Sequence, residues 1–367
     1  METIRRFIHI ILLSLNLFVG ALLVLSAYSD RLDPYVYRIA PYIGLIFPVF
    51  IILNLGFLIL GIWKVRSCLV ASLIFFFLCA KPISNYFPVK SIFSQSSTSD
   101  IKFMTYNVQG FKHGSKLNKT TRKLVDFINE EDADIVCMQE MFWVHAGDKA
   151  GEEISYKTAF KKYKYKHVAQ FDMKKWGARS GLALLSKYPI KSARQINYKS
   201  SSNASIVYEV EVKKGKTITI INNHLESNGL SNSERQFYRE MLDNPDIDKI
   251  KEKRFDIIRK YGHSAVKRAE QAKEVRKIID KAKGEVIVCG DFNDTQQSHA
   301  YYLIKGDNLR SAFIDSGFGP GITYYSHLLY FRIDHILYSP GLVPSNSEVP
   351  KVHFSDHYPV MTHFSFK

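Results

Sequence analysis

Cysteine is scarce in this chain. Four occur among 367 residues, two in an apolar N-terminal region (Cys68, Cys79) and two within later apolar runs (Cys137, Cys289). That scarcity excludes a disulfide framework of the kind that staples small secreted scaffolds, and each thiol reads as a small buried hydrophobe. Acidic residues are also in short supply: 35 Asp+Glu against 50 Lys+Arg, a formal charge of +15. Such a surplus favours polyanionic surfaces, whether nucleic acid, anionic lipid or phosphorylated substrate, without choosing among them. No internal repeat is visible. What is present is a chain 46% hydrophobic, long enough to bury a large core and still carry a segment outside it.

Two apolar runs, 7–27 and 42–63, are each long enough to cross a hydrocarbon core of ~30 Å, which takes about 20 helical residues. A third, from Ser67 to Ala80, is shorter and reaches 87 if Lys81 and the interfacial aromatic Tyr86 extend it. Positions 1–90 are therefore expected to form an anchor of about three membrane helices, 7–27, 42–63 and 67–87. A cleaved signal peptide is the competing reading of the first run, but its apolar stretch is long and a second span follows. Arg5, Arg6, Lys64 and Arg66 would share one side and Arg31, Arg38, Lys81 and Lys90 the other, so the positive-inside comparison is a tie. With three spans and an internal N-terminus, the chain is expected to be an integral membrane protein with its main domain extracytoplasmic. The Ser-rich 91–100 segment, SIFSQSSTSD, reads as a flexible linker, leaving a domain at 101–367.

That domain alternates short strand-like runs with helical patterns. IKFMTYNV, ADIVCMQE, SGLALLS, SIVYEVEV, KTITIINNHL, EVIVCGDF, FRIDHILYS and YPVMTHFSF are rich in β-branched and aromatic residues. LNKTTRKLVDFINEED and a long segment from about 233 to 281 carry apolar residues at three- and four-residue spacing. Mixed sheets flanked by helices follow. The strands end in polar residues: Asn107, Glu140, His224, then Asp291 and Asn293, while Asp334 lies inside FRIDHILYS and Asp356 and His357 precede the last strand. A hard divalent cation takes oxygen ligands and keeps several waters, and phosphate-ester hydrolysis needs charge neutralisation, an activated water and a proton for the leaving oxygen. Singly, each residue is as readily a turn former or a structural histidine. Their joint order is the signal.

The ordered blocks TYNVQGF, DIVCMQE, SGLALLSKYPI, INNHLES, VCGDFND, RIDHILYS and SDHYPV resemble the endonuclease/exonuclease/phosphatase superfamily over nearly all of 101–367. The resemblance implies a four-layered α/β sandwich with the active site at one end of the two sheets. It implies Glu140 as principal metal ligand, with Asn107 and Asp356 as further metal partners. Asp291 and Asn293 would activate the water and hold a phosphate oxygen. His357, oriented by Asp334, and His224 would be the catalytic histidines. Asn107 and Asn293 would also contact substrate. Arg179, before the Ser-Gly of its block, is a plausible bidentate phosphate contact and as plausibly a solvated surface residue. Gln109 stands where some nucleases of the family carry Asp. The implied activity is a membrane-anchored, Mg²⁺- or Mn²⁺-dependent phosphoesterase acting on a phosphodiester or phosphomonoester, in a lipid head group or in nucleic acid. The alternative is a tethered binder of a phosphorylated ligand without turnover. The bilayer and the phosphorylated substrate are the expected partners, and no obligate protein partner is evident. Two basic stretches, 249–283 with 13 Lys+Arg and 5 Asp+Glu, and KTAFKKYKYKHVAQFDMKKW, suit nucleic acid, an anionic membrane or plain solvation equally.

Overall fold

In a computed structural model, residues 2–89, 100–110, 119–141, 156–173, 178–198, 200, 203–228, 247–326 and 329–367 are described. Residues 91–99 of the expected 91–100 linker and the 233–246 part of the long helical pattern lie outside them.

The N-terminal region is a bundle. Helix α1 (Glu2–Ala27) packs against α3 (Phe47–Trp63) and α4 (Arg66–Leu78) around Val19, Leu23, Phe47, Phe50 and Cys79. Buried polar side chains tie the helices together: Asn16 Nδ2 donates to Cys68 O (2.9 Å) and Asn54 Nδ2 to Val19 O (3.3 Å). Gly61 lets α3 approach, since a Cβ there would overlap the Leu69 backbone. Among the described residues, only α1 is by itself long and apolar enough to cross a membrane. The second apolar run divides into α2 (Ala40–Leu45) and α3, with Pro48 in the first turn of α3. The third bends by 68° between α4 and α5 (Ala80–Tyr86). Pro82 has no N–H to give the Leu78 carbonyl one turn back; the Tyr28 hydroxyl donates there instead, at 2.7 Å.

Beyond the bundle lie two six-stranded mixed sheets. Their strands in chain order are β1 (Ile101–Asn107), β2 (Ile135–Gln139), β3 (Tyr165–Met173), β4 (Ala178–Ser186), β5 (Ile190–Gln195), β6 (Ala204–Lys213), β7 (Lys216–His224), β8 (Glu285–Asp291), β9 (Arg310–Ser311), β12 (Asp334–Tyr338), β13 (Leu342–Glu348) and β14 (Val360–Phe366). β10 (Tyr324–Ser326) and β11 (Leu329–Phe331) form a separate hairpin. One sheet runs β13-β14-β1-β2-β4-β3 and the other β5-β6-β7-β8-β12-β9, with β1/β2 and β7/β8 parallel and the other pairs antiparallel. Among the described residues the further α-helices are α6 (Lys119–Glu131), α7 (Tyr156–Ala159), α8 (Ile247–Lys281), α9 (His299–Lys305) and α10 (Ala312–Ser316).

Period-2 alternation builds the layers. Phe103, Ile287 and Cys289 point between the sheets with Ile206, Ile220 and Phe364. Their chain neighbours Met104 and Tyr106 meet α6 through Leu124 and Ile128, while Val286 and Val288 meet α8 through Ala272, Val275 and Ile279. Helix, sheet, sheet, helix is the four-layered sandwich implied by the sequence. All four cysteines are free and buried.

Chain segments at the domain end of the bundle dock directly on the sandwich. Ser29 Oγ donates to Gln297 O (3.4 Å), His299 Nδ1 meets Asp30 O (2.7 Å), and the Tyr42 hydroxyl donates to Ile258 O (2.7 Å). Tyr261 OH donates to Pro41 O (3.4 Å), Arg332 Nη2 to Asn85 O (2.7 Å) and Gly319 N to Pro88 O (2.8 Å).

Candidate active site

The two parallel pairs end at the same edge of the sandwich, and there the polar strand ends meet. The register sets His224, Asp291 and Asp334 side by side across β7, β8 and β12, with Asn107 and Gln139 level on β1 and β2. Gly290 makes the close passage possible. Its φ is 117°, and a Cβ there would overlap Asn223 O. Two residues beside it, Glu140 (φ 51°) and Asn293 (φ 52°), occupy the left-handed region that non-glycine residues rarely adopt. Backbone strain of that kind concentrates where side chains are held for function.

Asn107 is the hub. Its Nδ2 donates to Glu140 Oε1 (3.2 Å) and Asp291 Oδ2 (2.9 Å), and its Oδ1 accepts from Gln109 N (3.0 Å). Its amide N–H thus faces the two carboxylates, while its oxygen takes the Gln109 N–H. Asp291 Oδ1 accepts from Asn293 N at 2.7 Å, while Asn293 Nδ2 donates to Leu225 O at 3.0 Å. His224 Nε2 lies 3.6 Å from Glu140 Oε1 and 3.8 Å from Asp291 Oδ2, buried and with no hydrogen-bond partner among the described residues. His357 Nδ1 is bonded to Asp334 Oδ2 at 2.8 Å, which turns Nε2 towards Asp291 Oδ2, 3.8 Å away. Asp356 joins through Ser355, whose hydroxyl bonds Asn107 O (2.7 Å) and approaches Asp356 Oδ1 (3.4 Å). Arg179 sits on β4; its side chain lies outside the described residues.

Burial pushes the Asp291 carboxyl up to about 6, and the Asp334 charge adds to the rise against the opposing effect of His357, His224 and the Asn293 N–H. Burial alone would strip the proton from His357, but the charges of Asp334 and Asp291 and the hydrogen bond to Asp334 outweigh it, and the imidazole is held well above its usual range. The pair is thus a cation fixed next to a proton-accepting carboxylate.

Two places could take a metal. Asp291, Asp334 and His357 bring ligand atoms within 4.8 Å of one another, but the Asp334 to His357 hydrogen bond already accounts for two of them. Glu140, with its side chain 34% exposed, offers the hard oxygen donor that Mg²⁺ prefers alongside waters. Glu140, Asp291, Asp334 and Asp356 give the site more negative charge than its histidines can balance, and the donor set fits a hard divalent cation.

Several supporting residues were not identified as functional from the sequence. Gln139 Nε2 bridges Thr105 Oγ1 (3.0 Å) and Asn222 Oδ1 (2.6 Å), bolting the two sheets together beneath the site. Polar residues inside apolar strand runs were the available signal. Thr323 has no such signal. Its hydroxyl accepts from Ile333 N and Asp334 N, each at 3.0 Å, and its carbonyl accepts from Tyr358 N, joining the loops that carry Asp334 and His357.

His335, next to Asp334, is buried with Nε2 on Asp294 O (3.0 Å) and its ring against Phe292 and Tyr301. Burial is the main cause that lowers its pKa from 6.5 to about 4. Protonation then favours the unfolded chain: the stability contributed by neutral His335 is whole above pH 6.5 and is lost as pH falls towards 4, by about 3 kcal/mol in all. His335→Gln keeps a donor and does not titrate. In denaturant unfolding at pH 7 and pH 4, the wild type should lose about 3 kcal/mol more than the variant; equal losses would contradict the assignment.

The match to a family model described as the endonuclease/exonuclease/phosphatase family covers residues 104–357. A domain of unknown function matches residues 8–86. No curated protein matches. Among solved structures, an endonuclease/exonuclease/phosphatase from Beutenbergia cavernae DSM 12333 is similar over 72% of this chain and 71% of its own, at 15% identity and a TM-score of 0.52. A humanized D. rerio TDP2 is similar over 72% and 98%, at 15% identity and a TM-score of 0.51.

Proposed function

This chain belongs to the endonuclease/exonuclease/phosphatase family, and on that premise we propose that it is a membrane-anchored, Mg²⁺-dependent phosphoesterase with its reaction centre at Glu140, Asp291, Asp334 and His357. Membership makes it a hydrolase of phosphoester bonds. The single observation that carries the reading of the site is the hydrogen-bonded Asp334 and His357 pair facing Asp291 across the end of β8. Asp291 is placed to take the proton of an attacking water, and Asn293 holds that carboxylate in line. The His357 imidazolium stabilises the phosphoryl oxygens or protonates the leaving oxygen through Nε2, while Asp334 fixes its tautomer. His224, buried between Glu140 and Asp291, would offer Nε2 to the same centre. Glu140 would hold the cation, with Asp356 near it, and a bound Mg²⁺ would neutralise phosphoryl charge.

Anchoring is supported by the exterior of the bundle. Large apolar side chains such as Phe7, Ile11, Phe18, Ile52, Ile59 and Phe77 face outward, all more exposed than a water-soluble helical bundle would leave them. With α1 and α4 leading towards the sandwich and α3 away from it, we place the N-terminus and the catalytic domain on opposite faces of the bilayer; an internal N-terminus would then make the domain extracytoplasmic.

The test is Mg²⁺-dependent hydrolysis by the full chain in detergent, across bis-p-nitrophenyl phosphate, DNA, inositol phosphates and phospholipids. Turnover is expected to vanish with chelator and to return with Mg²⁺ in the wild type, and Glu140→Ala should need far more metal for any recovery. An unchanged metal response in Glu140→Ala would remove it as ligand. Silence on every substrate with metal bound would favour a non-catalytic binder.

A further inference from the structure

Outside the bundle, the described sandwich keeps its apolar residues inside, with few large exceptions. Phe255, Ile258, Tyr302, Phe318 and Tyr330 are between 42% and 66% exposed, and Val343 is the remaining one of that size. The first five are not scattered. Phe255 and Ile258 lie one helical turn apart on α8, where Ile258 O receives the Tyr42 hydroxyl and Gly262 abuts the same tyrosine. Tyr302 stacks on His299, which is bonded to Asp30 O. Phe318 pairs its backbone with Val89, and Tyr330 is two residues from Arg332, the partner of Asn85. Every one sits on a segment that touches the domain end of the bundle, where Tyr35, Val36, Tyr37 and Ile39 are also exposed.

That seam is also the rim of the active site. Gln297 and His299 follow Asp291 and Asn293 on one loop, Arg332 stands two residues before Asp334, and Gly319 leads into Thr323, which holds the Asp334 loop. The first half of α8, residues 247–262, has six Lys+Arg to three Asp+Glu. Exposed aromatic and aliphatic residues on segments that touch the bundle, in a stretch of basic composition, have the make-up of an interfacial surface on anionic lipid.

We propose that these five residues form a collar seated in the head-group layer of the bilayer that holds the bundle, and that the substrate is a phosphoester in the head group of a lipid of that same leaflet. The inference rests on the anchored phosphoesterase reading above. A tethered collar confines the site to within a few residues' reach of the lipid surface, where head groups are concentrated and a long polynucleotide would have to enter edgewise between domain and bilayer.

The full chain is reconstituted in phosphatidylcholine vesicles containing phosphatidylglycerol, with hydrolysis of vesicle lipid and of bis-p-nitrophenyl phosphate followed in parallel. The double variant Phe255→Ser, Ile258→Ser is expected to lower the ratio of lipid to soluble-diester hydrolysis about tenfold, since two apolar side chains leave the interface. A second readout is independent of turnover: a fluorophore on Phe255→Cys, the native cysteines being buried, should be quenched by nitroxide-labelled phosphatidylcholine. An unquenched fluorophore, or an unchanged ratio, would overturn the collar. Hydrolysis of the soluble diester and DNA with none of lipid would overturn the substrate while leaving the phosphoesterase reading standing, whereas no turnover of any substrate would fail that reading itself.

Discussion

His357→Ala is expected to lower phosphodiester turnover about a thousandfold with the fold intact, the size of effect a positioned acid or base supplies. Asp334→Asn should cost nearly as much although it is isosteric. The 2.8 Å bond to Nδ1 requires an acceptor, and an amide can present its N–H there and reverse the tautomer. Because the two residues act as a unit, the double variant should be scarcely slower than either single one. Steady-state rates on bis-p-nitrophenyl phosphate, with circular dichroism to confirm folding, measure this. Wild-type turnover in either variant, or effects that multiply, would remove the pair from the reaction.

The second large effect concerns stability. Arg268 on α8 is fully buried, with Nε and Nη2 each 2.9 Å from Asp294 Oδ2 and Nη1 on Glu226 O and Asn228 Oδ1. Burial pushes the Asp294 carboxyl up while Arg268 pulls it back. Arg268→Met removes the counter-charge and leaves a carboxylate stranded in the interior one residue from Asn293, a change that costs about 3–5 kcal/mol. Denaturant unfolding in detergent should show it, and Asp294→Leu added to Arg268→Met should restore much of the loss, because the orphaned charge goes with it. A single variant within about 1 kcal/mol of wild type would mean that water reaches Asp294 after all.

Much of the candidate site was legible because it is built from strand ends. Apolar runs that stop at Asn107, Glu140, His224 and Asp291 mark where four neighbouring strands reach one edge, and order along the chain supplied the rest. The sandwich was legible for the same reason: its central strands are buried on both faces and read as unbroken apolar runs. Edge strands escaped notice. β3, inside the KYKYKHVAQFDM stretch, and β5, mostly exposed along IKSARQ, carry the lysines and arginines that edges tolerate, and so read as basic surface. FRIDHILYS was taken as one strand, whereas β11 ends at Phe331 and β12 begins at Asp334; the break is what lets Thr323 cap the loop. The bend at Cys79 depended on which hydroxyl would take the carbonyl that Pro82 leaves free, and Tyr28 is fifty residues distant. Which end of the Asn107 amide faces the carboxylates was not legible, because an amide has both a donor and an acceptor end and composition does not orient it.

The seam between bundle and sandwich has one further property. In six of its bonds, those from Ser29, Tyr42, Tyr261, His299, Arg332 and Gly319, the acceptor is a main-chain carbonyl: Gln297, Ile258, Pro41, Asp30, Asn85 and Pro88 respectively. A carbonyl is supplied by whatever amino acid occupies the position. Half of this joint is therefore blind to substitution, and the two halves of the protein can drift apart in sequence over generations while their grip on one another stays the same.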